Sequence, residues 1–148
     1  MSRIDGPLSP AVVFLGYAGL LPFVAGALGI ALLDGEPRQF SARALVAYGA
    51  VILSFVGAVH WGLLLQSTAA RATRALVAGI LPSLAGWIAL LLPDRYGLTL
   101  LVVAFGAFWL YEHRILGEDA LPGAYLQLRR SLSLAVCSLL ALGLIALG

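Results

Sequence analysis

Lysine is absent from this chain of 148 residues, and charged side chains of any kind make up only 11% of it. The net charge of +2 is too small and too widely spread for nucleic-acid binding, which needs clustered phosphate contacts. The single cysteine, Cys137, lies in an apolar run, so an intramolecular disulfide is excluded. Metal-ligand clusters, nucleophile motifs, paired carboxylates and phosphate-binding loops are also missing from the sequence, so we expect no enzymatic activity and no metal site.

Hydrophobic residues dominate instead, at 61% of the chain with a mean hydropathy of +1.01. They form five runs of bilayer-spanning length, separated by narrow charged bands. Because hydrocarbon cannot hydrogen-bond an exposed backbone, such runs cross the bilayer as helices. The sequence therefore predicts an all-α integral membrane bundle, a single transmembrane domain over 1–148. Its five helices are expected at about 10–33, 42–66, 68–92, 98–116 and 122–147.

The arginines predict how the bundle is oriented. Six of them fall at one face: Arg3, Arg71, Arg74, Arg114, Arg129 and Arg130. Three fall at the other: Arg38, Arg43 and Arg95. Since the more basic face stays in the cytoplasm, we expect a cytoplasmic N-terminus and a periplasmic C-terminus. The exclusive use of Arg is typical of a GC-rich bacterial genome, so we expect a bacterial protein.

One pattern, Ala-Gly-x-Leu-Pro-x-x-Ala-Gly, occurs twice at an offset of sixty positions, beginning at Ala18 and at Ala78. The first copy contains Gly19, Pro22 and Gly26. The second copy contains Gly79, Pro82 and Gly86 at the same places in the pattern. Both copies lie in the middle of a predicted span, which indicates two parallel helical-hairpin repeats with a fifth helix appended. The prolines predict kinks and the glycines predict close helix packing. A gating or binding role for these kinks is the alternative.

The second predicted helix carries the candidate residues of greatest interest. They are Tyr48, Ser54, Gly57, His60 and Trp61, with Ser83 and Trp87 on the third helix as further ligand or helix-contact candidates. Gly57, His60 and Trp61 share one helical face at spacings of three and four. An ionisable side chain within a span is a functional candidate. His60 therefore predicts either a structural hydrogen bond, a ligand or quinone contact, or haem ligation with His113 as second axial ligand.

Charged residues gather at the predicted cytoplasmic rim. The candidates for ion pairs or for a docking surface there are Glu112, His113, Arg114, Arg129 and Arg130. Solvated rim charge is the ordinary alternative for such a group.

Four groups of residues resemble the uncharacterised membrane protein family known as domain of unknown function 3429, the transmembrane protein 69-like family. They are Gly19-x-x-Pro22-Phe23; Tyr48 with Ile52-Leu53-Ser54-Phe55-x-Gly57-x-x-His60-Trp61-Gly62; Pro82-Ser83 with Trp87; and Tyr125-Leu126-x-Leu128-Arg129. The resemblance covers nearly the whole chain. It implies a multi-span protein of a bacterial inner membrane or its mitochondrial equivalent, and it supplies no activity, substrate or cofactor.

These observations favour a non-enzymatic accessory or assembly protein of a membrane complex, because the chain is small and its glycine-lined faces suit helix contacts. Its partners would be the lipid bilayer and other membrane proteins, and a homo-oligomer is compatible with the same faces. An intramembrane small-molecule, lipid or quinone site, or a minimal transporter, around His60 and Trp61 is the alternative. A haem-binding protein is the second alternative.

Overall fold

The computed structural model describes residues 8–64, 70–116 and 123–148, and in these ranges the chain is α-helical without β-strands. The helices are α1 (Pro10–Ala18), α2 (Leu21–Leu32), α3 (Gly35–Leu64), α4 (Ala70–Leu91), α5 (Asp94–Tyr111) and α6 (Gly123–Leu147). A π-helical turn, Glu112–Leu116, continues α5. The predicted all-α class is confirmed for these residues. The predicted boundaries at 66, 68 and 122 lie outside them.

The first predicted helix, 10–33, is broken into α1 and α2 by a turn at Gly19 and Leu20. Pro22 lies in the first turn of α2, and it has no N–H to bond the carbonyl of Ala18, so a continuous helix would lose that bond and clash with the proline ring. In the second copy of the repeated pattern, α4 continues through Pro82 without a break. The same local sequence therefore gives two different backbones.

The second predicted helix corresponds to α3, which begins at Gly35, seven positions before the predicted start at 42. Gly35 has a φ of +64°, a left-handed conformation that glycine adopts without strain, and it allows the sharp reversal from α2. Pro37 is tolerated because it lies in the first turn, where backbone N–H groups have no helical partner. Ser41 lies inside α3 and donates to the carbonyl of Pro37 at 2.8 Å.

The helices pack in a closed sequence of neighbours. α3 contacts α2 and α4, α4 contacts α5, and α6 contacts both α2 and α5. The buried core lies where α2, α3, α5 and α6 meet, and its largest members are Phe23, Ile30, Leu45, Leu53, Leu98, Leu101, Phe105 and Leu140. The ring of Phe23 contacts those of Tyr48 and Phe105 edge-on, with centroids 4.9 and 6.3 Å apart.

Two polar contacts bring helix ends together at one end of the bundle. Arg38 in the first turn of α3 donates to the carbonyl of Ala146 near the end of α6. Arg43 of α3 lies 3.5 Å from the carboxylate of Asp94, the first residue of α5. The beginnings of α3 and α5 and the end of α6 therefore share one rim, as an alternating path through the bundle requires.

Three segments of the described chain are long and apolar enough to cross a membrane: Pro10–Leu32, Gly35–Val59 and Gly123–Leu147. A shorter apolar helix spans Leu76–Leu91 within α4. The remaining helix, α5, has 18 residues. Asp94 and Arg95 lie in its first turn and lower its hydropathy. The protein is thus a membrane-type helical bundle.

Candidate functional site

The contact between α3 and α4 is close and contains most of the predicted glycines, Gly57, Gly79 and Gly86. A β-carbon placed on Gly57 would lie 2.2 Å from the carbonyl oxygen of Gly79, and one placed on Gly86 would lie 3.0 Å from the carbonyl oxygen of Ala50. Pro82 is buried in the same contact. The small-residue face of α3 is therefore covered by another helix.

Glycines of the first copy have other neighbours. Gly26 of α2 packs against Leu45 of α3, where an added β-carbon would lie 3.0 Å from the Leu45 side chain. Gly19 lies in the turn between α1 and α2, close to the hydroxyl of Tyr48. Gly26 and Gly86 thus both contact α3, one from each side of it.

Tyr48 and Trp61 both donate hydrogen bonds to backbone carbonyls of neighbouring helices. The Tyr48 hydroxyl donates to Gly19 at 2.8 Å, and the Trp61 indole N–H donates to Leu76 of α4 at 2.9 Å. These two bonds link α3 to the turn between α1 and α2 and to α4. Both side chains act as ties between helices.

The remaining candidates of α3 and α4 make local contacts. Ser54 donates to the carbonyl of Ala50 at 2.9 Å, and Ser83 donates to that of Ile80 at 2.7 Å. Trp87 is 59% exposed on the outer face of α4. The backbone of His60 belongs to α3, but its side chain lies outside the described part of the structure, so the ligand and haem predictions built on this imidazole stay predictions.

A cavity of about 450 Å³ lies elsewhere, between α1, α3, α5 and α6. This volume falls in the range of roughly 300–1,000 Å³ that is usual for small-molecule sites. Its lining residues, mostly apolar, are Val12, Leu15, Gly16, Gly19, Leu20, Phe23, Ile52, Phe55, Val56, Val59, Phe105, Tyr125, Leu128, Arg129, Leu132 and Val136. Among them, Tyr125 and Arg129 alone carry polar side chains. We call this cavity the α1 cleft.

One wall of the α1 cleft is α1 itself, a helix without a buried residue. Leu15 of α1 and Phe55 of α3 both line the cleft and are 67% and 64% exposed. The cleft therefore opens on the outer surface of the bundle, where lipid surrounds a membrane protein. Its floor is the buried core, represented by Phe23 and Phe105.

The polar end of the α1 cleft contains a buried ion pair. Arg129 of α6 donates from Nη2 to Oε1 of Glu112 at 2.9 Å, and from Nε to the two carboxylate oxygens at 3.2 and 3.3 Å. The two side chains are 8% and 0% exposed. Such a two-pronged contact fixes the guanidinium in position and neutralises its charge. Glu112 begins the π-helical turn, an irregularity often found at functional sites.

Tyr125 lies one helical turn before Arg129 on α6 and is within electrostatic reach of both members of the pair. Its hydroxyl is buried and has no hydrogen-bond partner among the described residues. The ring lines the cleft. A buried hydroxyl without a partner is unusual in a native structure, because it loses its bonds to water without replacement.

The other predicted rim residues are divided between surface and interior. Arg114 and Arg130 are exposed. The His113 ring lies 4.8 Å from that of Trp109, and the Nε2 atom of His113 and the Nε1 atom of Trp109 are both buried without a hydrogen-bond partner in the ranges described. Glu112 and Arg129, in contrast, are paired in the interior.

Sequence reasoning did not identify the α1 cleft, because apolar side chains that line a cavity and apolar side chains that face lipid give the same sequence pattern. The signal that could have found its polar end is the pair Tyr125 and Arg129, which are spaced i and i+4 on one face of the last predicted helix.

The chain was compared with known proteins. A family described as "Protein of unknown function (DUF3429)" matches residues 8–145. The chain belongs to this family. Transmembrane protein 69 of Xenopus tropicalis is 39% identical to it over 104 residues, which cover 69% of this chain and 40% of that protein. The match thus spans less than half of the relative's length. No solved structure matches. The predicted family resemblance is confirmed.

Proposed function

We propose that this protein is a five-span membrane protein that binds one amphiphilic molecule of the bilayer, a lipid or a quinone-type compound, in the α1 cleft. The proposed role is binding rather than catalysis. The observation that carries the proposal is the shape and lining of the cleft, an apolar cavity of about 450 Å³ with Tyr125 and Arg129 at one end.

The order of the lining residues fits an amphiphile that enters from the bilayer. Tyr125 and Arg129 lie in the first two turns of α6, near the rim that also carries the exposed Arg114 and Arg130. From Tyr125 to Val136, the cleft follows α6 for about 16 Å by helical rise. A bilayer amphiphile keeps its polar head near the interface and its chain towards the middle, which is the order of these side chains.

Five crossings are supported by the contacts at the opposite rim, where α3 and α5 begin and α6 ends. If the segments Pro10–Leu32, Gly35–Val59 and Gly123–Leu147 cross the membrane and Asp94 of α5 lies at the rim where α3 begins, α4 and α5 carry the chain across the membrane and back between the second segment and the third. The distribution of arginines favours a cytoplasmic N-terminus in a bacterial inner membrane, with the polar end of the cleft at the cytoplasmic side.

The accessory or assembly role predicted from the sequence needs a surface that favours a protein partner over lipid. The outer face of α4 is apolar and exposed at Val77, Ile80, Leu84, Trp87 and Ile88. Contact with lipid requires the same kind of face, so this surface does not favour a role in protein assembly over a role in ligand binding. The α1 cleft does distinguish them, because a lined cavity with a polar end suits a ligand.

Purification in a mild detergent, followed by extraction and mass spectrometry of what the protein retains, tests the proposal. We expect one amphiphile bound in stoichiometric amount. Gly16→Leu should remove it, because a β-carbon on Gly16 already lies 3.4 Å from Leu132 Cδ1 and a longer side chain would fill the gap between α1 and α6. Gly106→Leu is the matched control, since Gly106 of α5 has open space at that position and does not line the cleft. Equal retention by both variants, or no retained amphiphile in the parent protein, would overturn the proposal.

A further inference from the structure

We infer that α1 is a lateral gate of the α1 cleft. It turns about Gly19 and Leu20, separates from α6, and lets the amphiphile enter and leave sideways through the bilayer. The inference rests on the proposed function and concerns how the same site is filled. Its basis is the juxtaposition of a cleft in the buried core with one wall, α1, that has no buried residue.

The walls of the cleft differ in how firmly they are held. The helices α3, α5 and α6 each line it with a buried residue, namely Val56, Phe105 and Val136. In contrast, α1 lines it with residues such as Leu15 and Gly16 and buries no residue of its own. Regions with few buried apolar contacts open most readily, so α1 can move while the core stays closed.

A hinge lies at the end of α1. The helix ends at Ala18, α2 begins at Leu21, and Pro22 has no N–H to donate to the carbonyl of Ala18. Beyond the hinge, α2 is fixed because it packs on both α3 and α6. Hinge motions are absorbed by a few residues at the ends of such elements. Rotation at Gly19 and Leu20 therefore moves α1 and leaves α2 in place.

The contact between α1 and α6 is apolar. A β-carbon added to Gly16 would lie 3.4 Å from Cδ1 of Leu132 and 3.7 Å from Cδ2 of Leu128, so methyl groups of α6 face the backbone of α1. Lipid chains are as apolar as leucine, so lipid can replace this contact without the cost that water would impose. The cleft therefore opens to the bilayer between α1 and α6.

A hydrogen bond from the core holds the hinge. The Tyr48 hydroxyl donates to the carbonyl of Gly19 at 2.8 Å, and the Tyr48 ring packs on that of Phe23 with centroids 4.9 Å apart. Tyr48 does not line the cleft. The bond therefore controls how often α1 opens, and it makes no contact with the ligand in the closed cleft.

Ligand exchange followed by native mass spectrometry tests the gate. The full chain in maltoside micelles is loaded with 1-monopalmitoylglycerol or with decylubiquinone, and an excess of the deuterated form of the same probe is added. We expect Tyr48→Phe to speed the exchange about fivefold, the factor that corresponds to one hydrogen bond, with Kd unchanged. A gate that opens more often raises association and dissociation rates together, whereas a weakened site has a higher Kd.

Tyr17→Phe is the matched control, because Tyr17 belongs to α1, is 46% exposed and does not line the cleft. It should exchange ligand at the rate of the parent protein. Equal exchange rates in Tyr48→Phe and the parent, or a Kd that rises with the rate, would overturn the inference.

A reversible cross-link tests where the cleft opens. In a Cys137→Ala background, Gly16→Cys/Leu132→Cys is loaded with the probe and then joined by 1,2-ethanediyl bismethanethiosulfonate, a short cross-linker that reductants remove. We expect exchange to stop until reductant is added. Gly29→Cys/Ser41→Cys is the control, since a β-carbon on Gly29 would lie 2.7 Å from Cβ of Ser41 and this contact between α2 and α3 is outside the cleft. Exchange that continues through the α1–α6 cross-link would overturn the inference.

The two prolines of the repeated pattern test the hinge itself. Pro22→Ala supplies an N–H for the carbonyl of Ala18 and joins α1 to α2, so we expect exchange to slow about fivefold. Pro82→Ala should leave the rate unchanged, because α4 is already continuous at that position. Equal effects of the two substitutions would contradict a hinge at Gly19 and Leu20.

The gate and the proposed function fail in different ways. If neither 1-monopalmitoylglycerol nor decylubiquinone binds to the parent protein, the proposed function is overturned. If a probe binds but its exchange is indifferent to Tyr48→Phe and to the α1–α6 cross-link, the cleft is a binding site and α1 is not its gate.

Discussion

The backbone carbonyl of Gly79 occupies the space that a side chain at Gly57 would need. An added β-carbon would lie 2.2 Å from that oxygen, well inside any real carbon–oxygen contact. The oxygen belongs to the main chain of α4, so it cannot rotate away as the end of a side chain could. The contact between α3 and α4 therefore depends on the absence of a side chain at this one position.

We expect Gly57→Ala to separate α3 from α4 and to destabilise the protein by about 3 kcal/mol, the upper part of the range for overpacking. Gly62→Ala is the matched control on the same helix, since a β-carbon there meets nothing within 4 Å, and it should be neutral or slightly stabilising. Equilibrium unfolding in mixed detergent micelles measures both. Equal effects of the two substitutions would contradict the importance of the contact.

Replacing either Glu112 or Arg129 alone should destabilise the protein more than replacing both together by apolar residues. Removing one member takes a hydrogen-bonded counter-charge away from the other, buried member, and we expect Glu112→Gln or Arg129→Met to cost about 3–5 kcal/mol. The double variant Glu112→Leu/Arg129→Met should recover most of that loss, because two apolar groups need no partner. Arg43→Met is the control: its side chain is 63% exposed in the contact with Asp94, and such a pair contributes less than about 1 kcal/mol. A double variant no more stable than the singles would refute the argument.

Tyr48 should hold the turn that joins α1 to α2. Its hydroxyl donates to the Gly19 carbonyl, and α1 has no buried residue to hold it otherwise. We expect Tyr48→Phe to cost about 1 kcal/mol and to raise amide hydrogen exchange selectively in Pro10–Ala18. Tyr17→Phe, at a side chain that is 46% exposed, should leave that exchange unchanged. Exchange that rises equally in α1 and α6 would indicate a general loss of stability instead.

Much of the fold follows from local chemistry, and its departures follow from packing. Long apolar runs and scarce charge predict membrane helices without reference to any neighbour. The two copies of the repeated pattern, however, give a broken helix at Pro22 and a continuous one at Pro82. The difference is tertiary: α4 is held against α3 by Gly79 and Gly86 on both sides of its proline, whereas α1 packs no buried residue.

The candidate site was less predictable for a related reason. Glu112 and Arg129 are 17 positions apart and belong to different helices, so the sequence placed them on one rim without indicating that they would be buried against each other. A cavity is also a property of the spaces between helices, and no residue pattern records such a space. The polar residues that sequence reasoning did select, Tyr48 and Trp61, bond backbone carbonyls instead.

The number of crossings can be decided at the two ends of α5. Arg95 lies beside Asp94 at the rim that α3 and α5 share, and Arg114 lies in the turn that follows α5, beside Glu112. Both are exposed. The helix between them rises about 28 Å, close to the thickness of the hydrocarbon core. If α5 crosses, the two positions must lie on opposite sides of the membrane.

In a Cys137→Ala background, we expect Arg95→Cys to react with an impermeant maleimide on intact spheroplasts and Arg114→Cys to react only after permeabilisation. The background variant alone should remain unlabelled. Reaction of both cysteines on the same side would mean that α5 does not span the bilayer, and the path through the bundle would then have to be redrawn with fewer crossings.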